Sequence, residues 1–291
     1  MMYYASVADV IATSRTPGGN TNANITAANK ADLLRYVRIV SRRIDLDFAA
    51  RRPLFLPYIE ARKFLVSSDR VNTTLGTFRL GMPLLALSAV TVGTSTLTVN
   101  TTVYAYPDVD MPPFYDLRLS DCGTWYGYCT ADGAPLMTTV TGTWGLHRDY
   151  ANAWLKVDDL AADITSSATS LTVADADGLD DYGTSPRLSE GQIIRLDSEY
   201  MIVLTVNTTT NTLTVKRGQL GSTAAAHTSG ADIDVWQVED PIRHVTARQA
   251  AFLWARQGAY TTMEVQGMTE IRYPPDLLAE LRAVEQDYSY A

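Results

Sequence analysis

The chain has 291 residues, of which 46% are hydrophobic and only 19% charged, so it can build a large core and does not have the composition of a disordered chain. Its net charge of −8 argues against a simple duplex-DNA binder that gains affinity by neutralising phosphates. No apolar run approaches the roughly 20 residues needed to cross a bilayer, and residues 1–20 lack the basic flank and apolar core of a signal peptide, so synthesis in a cytoplasm is expected.

Residues 1–26 are rich in Thr, Asn, Ala and Gly, are broken at Pro17-Gly18-Gly19, and read as an N-terminal arm that a neighbour would order. Thr26 is placed to cap a helix over 27–50, in which Leu33, Val37, Val40, Ile44 and Phe48 form one apolar stripe. Arg35, Arg38 and Arg42 share another face, with Arg43 beside them, and the helix should end before Pro53. From Lys30 to Lys63 nine basic residues stand against four acidic ones, a net of +5, so the remainder carries −13. A cationic face and an anionic one suit subunits that dock in a fixed orientation.

Short strands follow, separated by Pro, Gly and Asp clusters: 58–66, 78–80, 84–92, 96–102, 103–106, 117–119, 125–128 and 137–144. His147 follows the Trp144-Gly145 strand end and reads as a surface residue, and 151–155 fits either a helical turn or a short strand. Residues 158–199 hold ten acidic and two basic side chains. They lead into a period-two alternation through Ile194, Leu196, Met201, Val203, Leu213 and Val215, the mark of strands with one dry face. This meander, 191–236, lies between two helical, arginine-bearing segments and reads as an insertion. The strings TSTLTVN, ATSLTVA and TNTLTVK at 94–100, 168–174 and 210–216 echo one another and are read as common strand chemistry. Asp240-Pro241 then opens a second helix whose Ile242, Val245, Ala250 and Leu253 face a core, with Gly258 as its stop. Its natural partner is the stripe of the 27–50 helix. The tail carries a Pro274-Pro275 break and a Leu277/Leu278/Leu281 turn, and it ends in aromatic residues.

Motifs that would carry catalysis fall short. Arg217-Gly218-Gln219-Leu220-Gly221-Ser222-Thr223 lacks the lysine of a phosphate loop and precedes a strand. Asp175-Ala176-Asp177-Gly178 resembles a calcium loop, but Pro186 stands where the bidentate Glu should be. Cys122 and Cys129, with three histidines in the whole chain, make a poor zinc set and read as reduced thiols, while Trp125, Tyr126 and Tyr128 could stack on a sugar or pack in a β-body. The expectation is a non-enzymatic protein with no metal and no cofactor.

The segment Glu199-Tyr200-Met201-Ile202-Val203, then Leu213-Thr214-Val215-Lys216-Arg217-Gly218, Gly221-Ser222-Thr223-Ala224 and His227, resembles a module of tailed-phage structural proteins. Together with ADLLRYVRIVSRRIDLDF, FLPYIEARKFLV, FRLGMPLLALSAVTV, Val140-Thr141-Gly142-Thr143-Trp144-Gly145, DPIRHVTARQAAFLWARQG and TEIRYPPDLLAELRAVEQDY, the order of elements resembles the head–tail adaptors, or connectors, of long-tailed phages. That resemblance implies a virion neck protein forming a ring of commonly twelve copies beneath the portal. Such a ring extends the DNA channel, lets DNA pass without sequence-specific binding, and offers a platform to the next neck or tail-completion protein.

The fold expected is α+β: an arm at 1–26, an adaptor helix with β-body at 27–157, an inserted β-domain at 158–239, and a helix with tail completing the adaptor at 240–291. Portal docking is assigned to Tyr273, Leu277, Leu278, Leu281 and Tyr288 as an exposed tail, and the basic face of Arg35, Arg38, Arg42 and Arg43 to portal or channel. Rival readings are another tail, baseplate or capsid-decorating protein, and a carbohydrate-binding host-recognition module using Trp125, Tyr126 and Tyr128.

Overall fold

The computed structural model describes residues 3–13, 26–48, 53–67, 69–72, 74–107, 110–120, 137–179, 183, 185–255 and, toward the C-terminus, 279–280, 282–284, 286 and 288. The fold is α+β with two antiparallel sheets. The chain divides into two compact units, one of residues 54–153 and one joining 1–53 to 154–291. These bounds differ from those read off the sequence. The acidic meander groups with the helices, and the β-body separates from them, beginning after Pro53 and ending at Ala153.

In the unit of 54–153, seven strands form one sheet: β1 (Tyr58–Leu65), β2 (Val71–Asn72), β3 (Thr77–Val92), β4 (Ser95–Leu97), β5 (Val103–Tyr106), β6 (Phe114–Leu119) and β7 (Met137–Trp144). The main path runs β1-β7-β3-β6-β5, with β2 and β4 also on β3. The strands expected at 78–80 and 84–92 are one bent strand. Gly81 at φ +70 and Pro83, which has no N–H to donate, interrupt the ladder between Arg79 and Leu84. β3 pairs with β6 on both sides of this interruption, through Thr77–Arg79 and again at Leu84, and from Leu84 onward it also pairs with β7. The strand expected at 96–102 stops at Leu97, where a turn with Asn100 at φ 59 takes over. Phe78, Leu80, Leu84, Val90, Leu117, Val140 and Trp144 are all 1% exposed or less and form the core of this unit.

Gly142 in β7 pairs with Glu60 on one side and Leu87 on the other. A Cβ at that position would lie 2.3 Å from the Ala86 carbonyl oxygen and 2.8 Å from Leu84 Cδ1. Backbone on that side cannot move without disturbing the ladder, so Gly142→Ala is expected to cost about 1–3 kcal/mol. A thermal midpoint equal to that of the parent protein would show that the close approach is not there.

In the other unit, α1 (Val7–Thr13), α2 (Ala27–Asp47) and α3 (Asp240–Ala255) pack on one another. The Thr26 hydroxyl accepts the Asn29 N–H at 3.2 Å and caps α2, and Leu33, Val37, Val40 and Ile44 are buried as the stripe requires. On α3 the residues Ile242, Val245, Ala250 and Leu253 are buried. Gly258, its expected stop, lies outside the described residues.

The N-terminal arm departs from expectation. Residues 3–13 belong to this helical layer, with Tyr4, Val7 and Val10 buried. Ser6 and Asp9 cap α1 reciprocally: the Ser6 Oγ accepts the Asp9 N–H at 3.2 Å and Asp9 Oδ2 accepts the Ser6 N–H at 2.7 Å. The Tyr4 N–H donates to Ser41 Oγ at 3.0 Å, and its hydroxyl donates to the buried Asp45.

The same unit holds β8 (Trp154–Asp159), β9 (Ser170–Thr172), β10 (Ile193–Leu196), β11 (Glu199–Asn207), β12 (Thr212–Lys216) and β13 (Asp232–Trp236), in the order β8-β13-β10-β11-β12-β9. A bridge between Leu160 and Val173, with the Ala161 N–H donating to the Thr172 carbonyl at 2.8 Å, joins the two ends of that path. The sheet therefore closes into a small barrel filled by Leu171, Ile194, Leu196, Met201, Val203, Leu213, Val215 and Ile233, each 1% exposed or less. Two of the echoing strings, in β9 and β12, are direct neighbours with Leu171 opposite Leu213. Helices and barrel are tied by Val7 N–H to the Glu190 carbonyl at 2.9 Å, Ala8 N–H to Ser189 Oγ at 3.0 Å, and Lys30 to Glu190 at 2.8 Å.

Candidate functional site

Two surface features and one buried cluster carry the charge chemistry of the described residues. The first is the open face of α2. Arg35, Arg38, Arg42 and Arg43 are all exposed, as the spacing requires, and Ile39 and Leu46, 49% and 60% exposed, are interleaved with them. Arg35 lies 3.6 Å from Asp32 and Arg43 lies 3.8 Å from Asp47, long surface pairs that contribute little. Arg38 and Arg42 form no ion pair with a carboxylate among the described residues.

The second is one rim of the barrel. Asp159 stands opposite Asp232 in the β8–β13 ladder. Arg195 pairs with Asp234, so the register carries Asp197, in the turn after β10, to the same end. Asp163 joins them through the Ser229 N–H, which it accepts at 2.7 Å, next to the Ile164–His227 bridge. Like charges directly opposite in a ladder repel. Lys156 spans the pair, 2.9 Å from Asp159 and 2.6 Å from Asp232, and these bonds raise its pKa above the ordinary lysine value.

Beneath that rim lies a buried hub that the sequence analysis did not find. Glu199 is fully buried, and its carboxylate accepts from Arg217 Nε and Nη2 at 2.7 and 2.6 Å, from the N–H groups of Gly218 and Ala225 at 2.9 Å each, and from His227 Nε2 at 3.0 Å. Arg217 also donates to the carbonyls of Thr165 and Ala168, at 3.0 and 2.7 Å. His227 Nδ1 lies 2.7 Å from Asp197, so both ring nitrogens face carboxylates. Burial pushes the Glu199 carboxyl up, but the bonds from Arg217, Ala225, His227 and Gly218 outweigh it and hold its pKa at about 2. The hub locks together the start of β11, the end of β12 and the loop reaching His227. It is a structural clamp at one end of the barrel. The alternation contained its signal: Glu199 is in phase with Met201 and Val203, and Arg217 with Leu213 and Val215, so both side chains point to the dry face.

On the outer face of the barrel Trp154 packs against Tyr200 and Trp236, both ring-centroid separations being 5.1 Å. Arg195 lies 4.6 Å above Trp154 and donates to Asp234 Oδ2 at 3.0 and 2.6 Å. In the acidic loop, Asp175 Oδ1 accepts the N–H groups of Asp177 and Gly178, and Oδ2 lies 3.5 Å from Arg187. Among the described residues no group of three or more His, Cys, Asp or Glu is arranged to hold a metal ion, and no helix is long and apolar enough to cross a membrane.

The docking tail needs correction in part. Tyr288 is 5% exposed, with its ring edge-on to Phe48 at 6.4 Å and its hydroxyl bonded to Glu239. Val284 is buried too, and Glu280 pairs with Arg248 of α3. These described residues join the helical layer, Tyr288 through Phe48 at the end of α2 and Glu280 through Arg248 on α3. Removing residues 272–291 would therefore strip the fold of buried contacts. Tyr273, Leu277, Leu278 and Leu281 lie outside the described residues, as do Cys122, Cys129, Trp125, Tyr126 and Tyr128. His147, expected at the surface, is 7% exposed, and its Nδ1 accepts the Asp149 N–H at 3.2 Å. The 151–155 segment is both things expected of it: a 3₁₀ turn at Tyr150–Asn152, then the start of β8.

No protein-family model matches the chain, and comparison with curated proteins gives no match.

Proposed function

We propose that this chain is a structural protein of a tailed-phage virion. It forms the head–tail adaptor ring beneath the portal, extends the DNA channel and seats the next neck or tail-completion protein. The observation that carries this reading is the packing of α2 on α3, helices separated in the chain by both β-sheets. This is the arrangement the resemblance to adaptors implies. Two sequence-distant helices form one platform, with the strand modules carried in the chain between them.

The charge pattern supports the same reading. A surplus of carboxylates keeps DNA phosphates from sticking as they pass, because long-range repulsion acts on any sequence alike. A ring needs two different faces on each copy, and a cationic helix and an anionic rim are such a pair.

Electron microscopy of the purified protein, together with sedimentation against portal-bearing capsids lacking tails, tests the proposal. Rings with a closed rotational symmetry that co-sediment with the capsids are expected. Co-sedimentation with isolated tails or capsid faces, and none with the portal vertex, would move the chain to another station in the virion and overturn the adaptor reading.

A further inference from the structure

We infer that copies of this protein associate head to tail, with the arginine face of α2 on one copy seated on the acidic barrel rim of the next. The inference deepens the proposed ring and rests on that reading. Three observations point to it.

The open face of α2 mixes Arg35, Arg38, Arg42 and Arg43 with the exposed aliphatic side chains of Ile39 and Leu46. A surface that only tracked phosphates would gain nothing from exposed aliphatics. Nor would it gain from Asp32 and Asp47 beside its arginines. A protein surface with carboxylates and apolar ground accounts for both.

The barrel rim supplies the complement. Asp159 and Asp232 are directly opposed, with Asp163 and Asp197 at the same end, and Lys156 alone spans the opposed pair. One ammonium faces the two opposed carboxylates, which leaves the rim net negative. Guanidinium groups arriving from a neighbour would meet that remaining negative charge.

The two patches also differ in shape and sign, so the contact is heterologous. Repeated, it closes a ring or continues as a filament. Within one copy Arg38 and Arg42 meet no carboxylate among the described residues, which leaves them available to another copy.

Charge exchange tests this on the full chain. Arg38→Glu with Arg42→Glu places a negative face against a negative rim, and Asp163→Lys with Asp232→Lys places a positive rim against a positive face. Each double variant alone should sediment as a smaller species, with self-association weakened about tenfold or more. Mixed in equal amounts, the two should reassemble, since every contact then joins opposite charges. Circular dichroism matching the parent protein establishes that both variants are folded. If either variant destroys the fold, Arg38→Gln with Arg42→Gln and Asp163→Asn with Asp232→Asn should each still weaken assembly.

A parent protein that stays monomeric, variants that assemble like the parent, or a mixture that does not recover would each overturn the contact. So would arginine variants that lose binding to a short DNA duplex while self-association is untouched. Portal capture is scored separately: assembly through this contact by a protein that ignores the portal would sink the adaptor reading alone.

Discussion

Glu199→Ala is expected to destabilise the barrel by about 3–5 kcal/mol, the usual cost of removing one partner from a buried ion pair. The loss exceeds one bond because Arg217, 6% exposed at its side chain, would keep a buried charge without its carboxylate. The Gly218 and Ala225 N–H groups would also lose their acceptor. Hydrogen exchange should show the protection of β11, β12 and the loop to His227 falling first. Glu199→Gln keeps the shape but presents an amide N–H toward donors, so it should recover only part of the loss. Exchange rates equal to those of the parent would show that the hub clamps nothing.

The same residue predicts a direction with pH. Its folded pKa of about 2 is below the ordinary glutamate value of 4.5, so the folded state favours the carboxylate. The stabilisation is fully present above pH 4.5 and is lost as pH falls toward 2, because the unfolded chain takes up the proton first. The difference corresponds to about 3 kcal/mol. Acid denaturation followed by tryptophan fluorescence should therefore steepen in that window for the parent and flatten there for Glu199→Gln.

Trp144→Ala should be the most damaging change in the unit of 54–153, costing about 3–5 kcal/mol. Trp144 is 1% exposed, its Nε1–H donates to the Glu60 carbonyl at 3.0 Å, and the Arg62 guanidinium lies 4.3 Å from its ring centroid. Phe64 packs on it with centroids 6.0 Å apart. Removing the indole empties a volume shared by β1, β3 and β7 and leaves the Glu60 carbonyl without that donor. In a unit of this size the loss should lower the melting temperature by roughly 12–40 °C. Trp144→Phe fills most of the space without the N–H, so the gap between the two variants measures packing against the hydrogen bond.

What could be read in advance was whatever repeats with a local period. The α2 stripe, its Thr26 cap, the Asp240-Pro241 start of α3 and the alternation of β10 to β12 are set by neighbours a few residues away, and all are present. The helix α1 was missed because seven residues are too short to show a stripe. Its order comes from Tyr4, Val7 and Val10 meeting distant partners, although Ser6-x-x-Asp9 was a cap signal in plain view. The strand β3 reads as two because Gly81 and Pro83 normally end a strand, whereas β6 pairing on both sides of them and β7 pairing from Leu84 carry the chain through.

The candidate surfaces were legible in unequal parts. The arginine row of α2 followed from spacing alone. The rim did not, because Asp159, Asp163, Asp197 and Asp232 converge only once β8, β13 and the β10–β11 turn are in register. Tyr288 reads as an exposed anchor because a tail after a proline pair looks detached, whereas its ring meets Phe48 and its hydroxyl meets Glu239.

The Leu160–Val173 bridge has one more effect. With the last strand returned to the first, each barrel strand has a neighbour on both sides, so the barrel presents no free edge strand for a stranger to extend. Crowded at high local density, such modules resist fusing into fibrils, so any specific contact between them has to be written in side chains.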